Sequence, residues 1–330
     1  MSEIQESWYS ISPAGTVAIG NLTPVGQNSG QVDCRWPPNG HQLAACLNLP
    51  TDCTLWGPFW GYRGNLYVTL PLPVYCIDSP QEMPSEIFRM VWSEGRWQVQ
   101  SQHQNAAIEV IGGRYLILGN SLQQLWKVGR LNNPAPNPSL CEFPWQKLTL
   151  SHNSRQDFQV KEEGGFFAEK TTLMEPGWSI LVKIIGNYDL PERLPEAPWS
   201  FLGAGATPVS ITSQKIRAPW LEGKSESFQG SGAVLLTGAL WHQQGNCLSI
   251  PYPDQVPIQG YAAEVGIPWQ SWKKVKNRPT ASLTPGEWMT PAGAVYLWEG
   301  EAPLETSAPL PDGYNRHCLG YGHLWLFEEK

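Results

Sequence analysis

Frequent glycine and proline residues limit what this chain can fold into. The 330 residues include 32 glycines and 30 prolines, and both residue types weaken helix interiors and favour turns. Between them lie short apolar or alternating runs, which are typical of strands. We predict strands at residues 66–70, 115–118, 178–185, 233–240 and 294–298, and a hairpin that turns at residues 93–95.

Helix signals are few. Asn39 is placed to cap a helix over residues 40–47, with Leu43 and Leu47 on one face. Ser121 is placed to cap a second, shorter helix that runs through Trp126. A few helices among many strands predict an α+β fold, not an alternating α/β sheet.

Low charge content suggests a surface that is partly covered by other molecules. Charged residues make up 15% of the chain, against about 25% in a typical soluble domain. The net charge of −7 is unlike that of most free-standing nucleic-acid binders, which are basic. Any nucleic-acid site must therefore be confined to a small positively charged part of the surface. The 17 tryptophans suit a core, a protein interface or a platform for base stacking.

The chain shows no signature of a metal, a cofactor or a membrane span. Its seven cysteines contain no CxxC pair, and His, Cys and carboxylates do not cluster at zinc-ligand spacing. The first ten residues lack the charged and apolar regions of a signal peptide. We expect reduced thiols, a cytoplasmic location, no cofactor and no metal.

Two proline-rich stretches mark connections between units. Residues 132–139 read NNPAPNPS, and residues 189–198 read DLPERLPEAP. The second precedes a glycine-punctuated segment at 202–205, so it is the better domain boundary. We predict an N-terminal domain over residues 1–198 and a C-terminal domain over residues 199–330.

Catalytic motifs are absent from the sequence. No Walker motif, complete dinucleotide fingerprint or GxSxG elbow occurs, and the six histidines are scattered. The carboxylate pairs at 162–163 and 328–329 are adjacent residues, which point to opposite faces of a strand. A metal-independent ribonuclease needs a base, an acid and a cation, and His41 with Lys170 is the one such combination that we consider.

Several separated stretches resemble one protein family in order and spacing. They are WPPNGHQLAA at 36–45, LPLPV at 70–74, RYL at 114–116 with Gly119, LSHNSRQ at 150–156, GFF at 165–167, LGAG at 202–205, TPAGAVY at 290–296 and LGYGH at 319–323. Together they resemble the third Cmr subunit of type III-B CRISPR effector complexes, a family of the RAMP superfamily. Residues 12–25 depart from it, because they lack the Arg-Asp-Gly-Arg-Pro-Phe stretch that many members carry.

This resemblance implies a fold, a role and a set of partners. The fold would be two ferredoxin-like, RRM-related domains with long β-hairpin and loop insertions. The role would be that of a non-catalytic subunit that binds the 5′ handle of the crRNA. The partners would be the large polymerase-cyclase subunit and a backbone Cmr subunit, with no membrane involved.

Candidate RNA-binding residues follow from the matched stretches and from the chemistry of single-stranded RNA. Unpaired RNA is bound by aromatic planes for bases and by cations or bare N–H groups for phosphates. The candidates are Arg35, Trp36, His41, His152, Arg155, Gln156, Gly203, Gly205, Lys215, Arg316, His317, Gly320, Tyr321, Gly322 and His323.

Three other interpretations remain open at this point. The first is a RAMP-type endoribonuclease that processes precursor crRNA. The second is a carbohydrate-binding β module, which tryptophan-rich loops and an acidic charge would suit. The third is a structural scaffold without RNA contact, because an interface tryptophan and a stacking tryptophan look alike in sequence.

Overall fold

The fold is described from a computed structural model of the chain. It covers residues 5–20, 31–32, 34–77, 83–133, 138–153, 155–156, 159–160, 166–188, 200–222, 232–241, 250–270, 272–274, 281–283 and 286–328.

Strands account for most of the regular structure, and helices are few. The α-helices are α1 (Gly40–Leu47), α2 (Gly119–Val128) and α3 (Pro219–Glu222), and two 3₁₀ helices span Ser101–His103 and Arg316–Leu319. The strands, in chain order, are β1 (Glu6–Pro13), β2 (Gln31–Val32), β3 (Thr54–Tyr62), β4 (Asn65–Thr69), β5 (Val74–Ile77), β6 (Glu86–Arg89), β7 (Val91–Ser93), β8 (Arg96–Gln98), β9 (Ile108–Val110), β10 (Leu116–Leu118), β11 (Arg130–Asn132), β12 (Leu140–Cys141), β13 (Trp145–Asn153), β14 (Arg155–Gln156), β15 (Gln159–Val160), β16 (Phe166–Met174), β17 (Trp178–Ile185), β18 (Ser200–Leu202), β19 (Thr207–Gln214), β20 (Gly232–Leu235), β21 (Ile258–Ala262), β22 (Ile267–Trp269), β23 (Trp272–Lys274), β24 (Ala281–Leu283), β25 (Glu287–Met289), β26 (Val295–Trp298), β27 (Ala308–Pro309) and β28 (His323–Phe327).

An eight-stranded sheet organises the N-terminal part of the chain. Its strand order is β12-β10-β4-β3-β17-β1-β19-β18, and every neighbouring pair is antiparallel. The register pairs Ile11 with Ile180 on one side of β1 and with Ile211 on the other. Because side chains alternate between the two faces of a strand, this register gathers β-branched residues on one face.

That apolar face is covered by α1. Ile11, Ile180 and Ile211 share a buried cluster with Leu43 and Leu47 of the helix. Full burial of such a side chain contributes about 1.5–3 kcal/mol, so the stripe on α1 fixes the helix on the sheet.

The other face of the sheet packs against a second, five-stranded sheet. The order of that sheet is β21-β26-β20-β28-β27. Phe59 and Leu181 of the first sheet share a buried cluster with Val234 and Trp325 of the second. The indole N–H of Trp325 donates to the carbonyl of Trp220 at 2.9 Å. The core is therefore continuous between the two sheets.

The predicted α+β fold of two ferredoxin-like domains is wrong. Ferredoxin-like domains are built from βαβ units, whose crossover helices join parallel strands. The described residues contain many antiparallel sheets and little helix, and their one parallel strand pair joins β2 to β16 in a three-stranded sheet. In the eight-stranded sheet, β3–β4 and β18–β19 are neighbours that follow each other in the chain, and the other neighbouring strands come from segments far apart in sequence.

The proposed division at residue 198 stays a prediction. Strands β18 and β19 follow that position in sequence but pair into the eight-stranded sheet, where β19 lies beside β1. The five-stranded sheet is formed by residues from 232 onward. The prolines at 189–198 lie outside the described residues.

Several predictions of individual helices, strands and turns are confirmed, although the predicted fold class is wrong. The helix at 40–47, the strand at 178–185 and the hairpin turning at 93–95 are confirmed. The second helix is present, but it begins at Gly119, so Ser121 is not its cap. Among the described residues, no helix has the length and apolar character needed to cross a bilayer. The same described residues contain no group of His, Cys, Asp and Glu that is arranged to hold a metal ion.

Candidate nucleic-acid interface

The first turn of α1 positions His41. Asn39 accepts a hydrogen bond from the backbone N–H of Gln42, and the Gln42 side chain accepts one from the backbone N–H of Asn39. This reciprocal pair fixes where the helix begins. His41 is the second helical residue, so the start of the helix sets the direction of its side chain.

Two glycines let distant backbones meet beside this helix. A Cβ atom on Gly40 would lie 1.7 Å from the carbonyl oxygen of Leu319. A Cβ atom on Gly320 would lie 2.4 Å from the carbonyl oxygen of Gly57 in β3. Gly320 also has φ of 80°, in the left-handed region that favours glycine. The start of α1, the 3₁₀ helix at 316–319 and β3 therefore converge at one point.

Tyr321 is the centre of this convergence. Its hydroxyl lies 3.1 Å from Nδ1 of His41 and accepts a hydrogen bond from the indole N–H of Trp269 at 3.2 Å. The ring of His41 also contacts Trp269, with 5.6 Å between the centroids. Burial raises the pKa of Tyr321 far above its ordinary value, so the phenol stays protonated and serves as a hydrogen-bonding hub.

Arg316 presents its guanidinium between two acids and two aromatic rings. It donates to both carboxylate oxygens of Glu287, at 2.9 and 3.1 Å, and its Nε lies 3.8 Å from Asp312. The guanidinium also lies 4.5 Å from the ring centre of Tyr314 and 5.6 Å from that of Trp269. Both hydrogen bonds come from Nη2, and these charge-assisted bonds hold the guanidinium in place.

Arg35 lies near the same tyrosine. Its backbone N–H donates to the carbonyl of Ile19 at 2.9 Å. Partial burial lowers the pKa of Arg35, and its interaction with Tyr321 opposes that shift. The guanidinium remains charged, so a second cation adjoins the cluster.

His41 is neutral near pH 7. Burial lowers its pKa, and the positive charge of Arg316 lowers it further. A neutral imidazole can accept or donate a hydrogen bond. The site therefore combines two cations, a neutral imidazole and the exposed ring of Tyr314.

We use the name "Tyr321 cluster" for Arg35, His41, Trp269, Arg316 and Tyr321. Four of its members, Arg35, His41, Arg316 and Tyr321, were among the predicted residues, and His41 and Tyr321 are 280 residues apart in the chain. His317 adjoins the cluster and pairs with Asp312 at 3.3 Å. Trp36 instead packs on Trp60 and Trp145, with 6.0 Å between ring centroids in each case.

The glycine-containing turn does not offer bare N–H groups. The amide of Gly320 donates to the carbonyl of His317, that of Tyr321 to Arg316, and that of Gly322 to Gly238. The physical reason given for phosphate binding at residues 320–322 is therefore wrong, since these donors already have partners. The turn instead provides a close backbone contact with β3.

His323 is a core residue. Its side chain is fully buried and lies against the rings of Trp56 and Phe59, at 4.8 and 5.7 Å between centroids. Burial, and to a smaller extent the charge of Lys183, lowers its pKa to about 3. This position does not allow contact with an RNA strand at the surface.

The other candidate residues belong to other elements of the fold. Gly203 and Gly205 occupy the turn between β18 and β19, and Lys215 follows β19 with an exposed side chain. His152 belongs to β13, and Arg155 and Gln156 form β14. The side chains of these last three residues lie outside the described set.

Sequence reasoning missed Glu287, Trp269 and Tyr314. Each is an isolated residue in a segment without a recognised motif. The signal that could have found Glu287 is chemical, because an arginine that is largely buried needs a carboxylate partner. The identity of that partner depends on which strands meet, and sequence spacing does not contain it.

Comparisons with known proteins add little beyond this geometry. No family model matches the sequence, and no curated protein matches it. One similar solved structure is a chain of the type III-B Cmr-beta complex bound to cognate target RNA and AMPPnP, with 9% identity, a TM-score of 0.44, and coverage of 88% of this chain and 86% of that chain. Another is a chain of the same complex bound to cognate target RNA, with 9% identity, a TM-score of 0.45 and the same coverage. This likeness is too distant to support an argument about function.

Proposed function

We propose that the chain is a non-catalytic RNA-binding subunit of a type III CRISPR ribonucleoprotein that binds the 5′ handle of the crRNA. In this role it joins the large polymerase-cyclase subunit to the Cmr backbone. The observation that supports the proposal is the meeting of Arg35, His41 and Arg316 around Tyr321. His41 and Tyr321 belong to stretches that resemble the third Cmr subunit, and Arg35 and Arg316 lie just before those stretches. Cations and aromatic rings are the side chains that bind unpaired RNA.

The chemistry of the Tyr321 cluster suits a splayed single strand. Arginine binds phosphate through a planar fork and stacks on bases. Tyr314, with 67% of its surface exposed, presents an aromatic plane beside Arg316. Glu287 neutralises Arg316 until a phosphate replaces it, which explains how an acidic protein can hold a local RNA site.

A second candidate function is metal-independent cleavage of precursor crRNA. The observation that favours it is the contact between neutral His41 and the Tyr321 hydroxyl beside Arg316, since a base, an acid and a cation are the required groups. In this arrangement Arg316 supplies the cation, a role that the sequence analysis considered for Lys170 of β16. Tyr321 is buried, however, and a buried phenol is poorly placed to protonate a leaving group.

Co-purification from the native host tests the function. We expect a small RNA with one constant 5′ end to travel with the chain, together with a large polymerase-cyclase protein. The purified chain should leave a repeat RNA intact in EDTA. Cleavage that disappears in His41→Gln would replace the proposal with the endoribonuclease, and absence of any bound RNA would reject both.

Arg316 and Glu287 should have opposite effects on RNA affinity. Arg316→Ala should weaken binding of handle RNA about tenfold, because a charge-assisted contact to phosphate is lost. It should also reduce the slope of log K against log salt by about 0.7. Glu287→Gln should tighten binding, because it releases the guanidinium from its carboxylate partner. Filter binding or fluorescence anisotropy across a salt series measures both effects.

Arg96→Ala is the matched control for this pair. Arg96 is an exposed arginine beside Glu94 on the β7–β8 hairpin, and its removal changes the net charge by the same amount. We expect it to leave handle affinity near that of the parent protein. Equal affinities for the parent, Arg316→Ala and Glu287→Gln would exclude the Tyr321 cluster as the RNA site.

A further inference from the structure

The hydrogen bonds at the centre of the Tyr321 cluster have a direction. The indole N–H of Trp269 can only donate, so the phenol oxygen of Tyr321 accepts in their 3.2 Å contact. The same oxygen lies 3.1 Å from Nδ1 of His41. The proton of this second hydrogen bond belongs either to the phenol or to the imidazole, and the surroundings decide between the two arrangements.

The phenol of Tyr321 keeps its proton and has one place to donate it. Burial raises the pKa of the phenol, although Trp269 and the backbone of His41 oppose that rise as donors to the oxygen. The side chain is buried, and within the described part of the chain Nδ1 of His41 is the one acceptor for its O–H. A buried hydroxyl without an acceptor is unfavourable. The phenol therefore donates to Nδ1.

The imidazole of His41 can accept this hydrogen bond because it is neutral. Burial lowers the pKa of His41, and the positive charge of Arg316 lowers it further. A neutral imidazole carries one proton, and the hydrogen bond made by one ring nitrogen determines which nitrogen carries it. Since Nδ1 accepts from Tyr321, the proton is on Nε2.

Nε2 is the nitrogen of His41 that a ligand can reach. The side chain is only partly buried. Nε2 has no hydrogen-bond partner among the described residues, and it is not one of the buried polar atoms that lack a partner. It is therefore open to solvent. The ring presents an N–H donor outward, and its accepting nitrogen is turned toward Tyr321.

We propose that Trp269 and Tyr321 fix His41 in the tautomer with its proton on Nε2, which makes His41 an uncharged hydrogen-bond donor to an oxygen of the RNA sugar–phosphate backbone. This inference rests on the proposed RNA-binding function, which brings a phosphate to the neighbouring Arg316. Trp269 and Tyr321 are positioning residues in this arrangement, because they act on the RNA through His41.

This tautomer also separates the two functions considered for the Tyr321 cluster. A general base must present an unprotonated nitrogen to the 2′-hydroxyl of the RNA. The outward nitrogen of His41 carries a proton, so it can donate to a backbone oxygen but cannot remove a proton from one. The contact between His41 and Tyr321 therefore favours binding over cleavage.

Nitrogen-15 NMR of the full chain without RNA tests the tautomer. The protonated and unprotonated nitrogens of a neutral imidazole have well-separated shifts, and the signals of His41 are those missing from His41→Gln. Above neutral pH we expect a protonated Nε2 and an unprotonated Nδ1. Tyr321→Phe should bring the two shifts closer together, because both tautomers become populated. A proton on Nδ1 in the parent would overturn the inference.

Tyr188→Phe is the matched control for the NMR experiment. It also removes a buried phenol hydroxyl, which donates to the carbonyl of Leu47 at 2.8 Å at the other end of α1. The nitrogen shifts of His41 should stay as in the parent. If Tyr188→Phe and Tyr321→Phe changed them equally, Tyr321 would not be the group that fixes the tautomer.

The salt dependence of binding tests the role of His41 toward an oligonucleotide with the 5′-handle sequence. His41→Leu should weaken binding about fivefold, because one hydrogen bond is lost. It should not change the slope of log K against log salt, because an uncharged donor releases no counterion. His41→Gln keeps an N–H donor and should recover part of the lost affinity. A slope reduced as much as in Arg316→Ala would show a charged imidazole and reject the inference.

Modified oligonucleotides identify the backbone oxygen. A single methylphosphonate or a single 2′-deoxyribose is placed at each handle position in turn. At one position the change should weaken binding by the parent about fivefold more than binding by His41→Leu, because the two groups that interact are then both lost in the variant. Equal losses in both proteins at every position would exclude a backbone contact by His41.

The outcomes separate this inference from the proposed function. RNA binding by a parent chain with its proton on Nδ1 would reject the inference and keep the function. Failure of the parent to bind any RNA would reject the function and the backbone contact together, whatever the tautomer. Cleavage of a repeat RNA in EDTA that is lost in His41→Gln would reject the donor role, since His41 would then act as a base.

Discussion

Replacing Gly40 with alanine should destabilise the protein by about 3 kcal/mol or more. In an ordinary helix this substitution adds up to about 1 kcal/mol of stability, because alanine is the better helix former. Here the new Cβ atom would lie 1.7 Å from the carbonyl oxygen of Leu319, and a backbone atom cannot rotate aside. The start of α1 and the turn at 319–322 must separate, which is a severe case of overpacking.

Urea unfolding at fixed pH measures this effect as a lower midpoint at an unchanged slope. Gly205→Ala is the matched control, because a Cβ atom there meets nothing within 4 Å, and we expect its stability within about 1 kcal/mol of the parent. Similar stabilities for both variants would show that α1 does not pack against Leu319. Gly40→Ala should also weaken handle RNA binding, since His41 moves away from Tyr321.

His323→Leu should remove a large part of the loss of stability in acid. The folded-state pKa of His323 is about 3, below its ordinary value of 6.5. Between these two values the unfolded chain binds a proton that the folded chain does not. Stability therefore falls as the pH decreases from about 6.5 toward 3, and this one group contributes about 4 kcal/mol of that fall.

At neutral pH the same variant should be nearly as stable as the parent, or more stable. Neither ring nitrogen of His323 has a hydrogen-bond partner among the described residues. Replacing an unsatisfied buried polar group with an apolar side chain of similar size removes a desolvation cost. The backbone N–H of residue 323 keeps its bond to the hydroxyl of Thr237.

The measurement is the difference in unfolding free energy between the two proteins at several values of pH. Other acidic groups contribute equally to both proteins and cancel in this difference. Ile11→Val is the control, because it removes packing on the opposite face of the sheet without a titrating group and should shift all points by the same amount. A difference between His323→Leu and the parent that stays constant from pH 7 to pH 4 would contradict the buried neutral histidine.

Short-range signals in the sequence determined several elements correctly. Asn39 and Gln42 form the capping box that begins α1, and such a cap acts within four residues. The hairpin at 93–95 and the strand at 178–185 likewise depend on turn residues and apolar runs within one segment. These elements were predictable because their energetics are local.

The candidate site was predictable only in part. Arginine, histidine and tyrosine were recognised as residue types, and Arg35, His41 and Arg316 do lie around Tyr321. The roles of Gly320 and Gly322 depended on the partners of their N–H groups, and the role of His323 depended on burial; sequence gives neither. Glu287 was missed because its pairing with Arg316 joins β25 to a 3₁₀ helix 29 residues later in the chain.

By itself, the sequence determined that this is a strand-rich chain with a capped first helix, few charges and a limited set of RNA-binding residue types. Only the tertiary structure decided that eight of the strands pair antiparallel in one sheet, that His323 is interior and that Arg316 pairs with Glu287. The physical reason is the distance along the sequence over which each interaction acts. Caps, turns and strand alternation are set by neighbours along the chain, whereas strand order and burial are set by contacts between segments far apart in sequence.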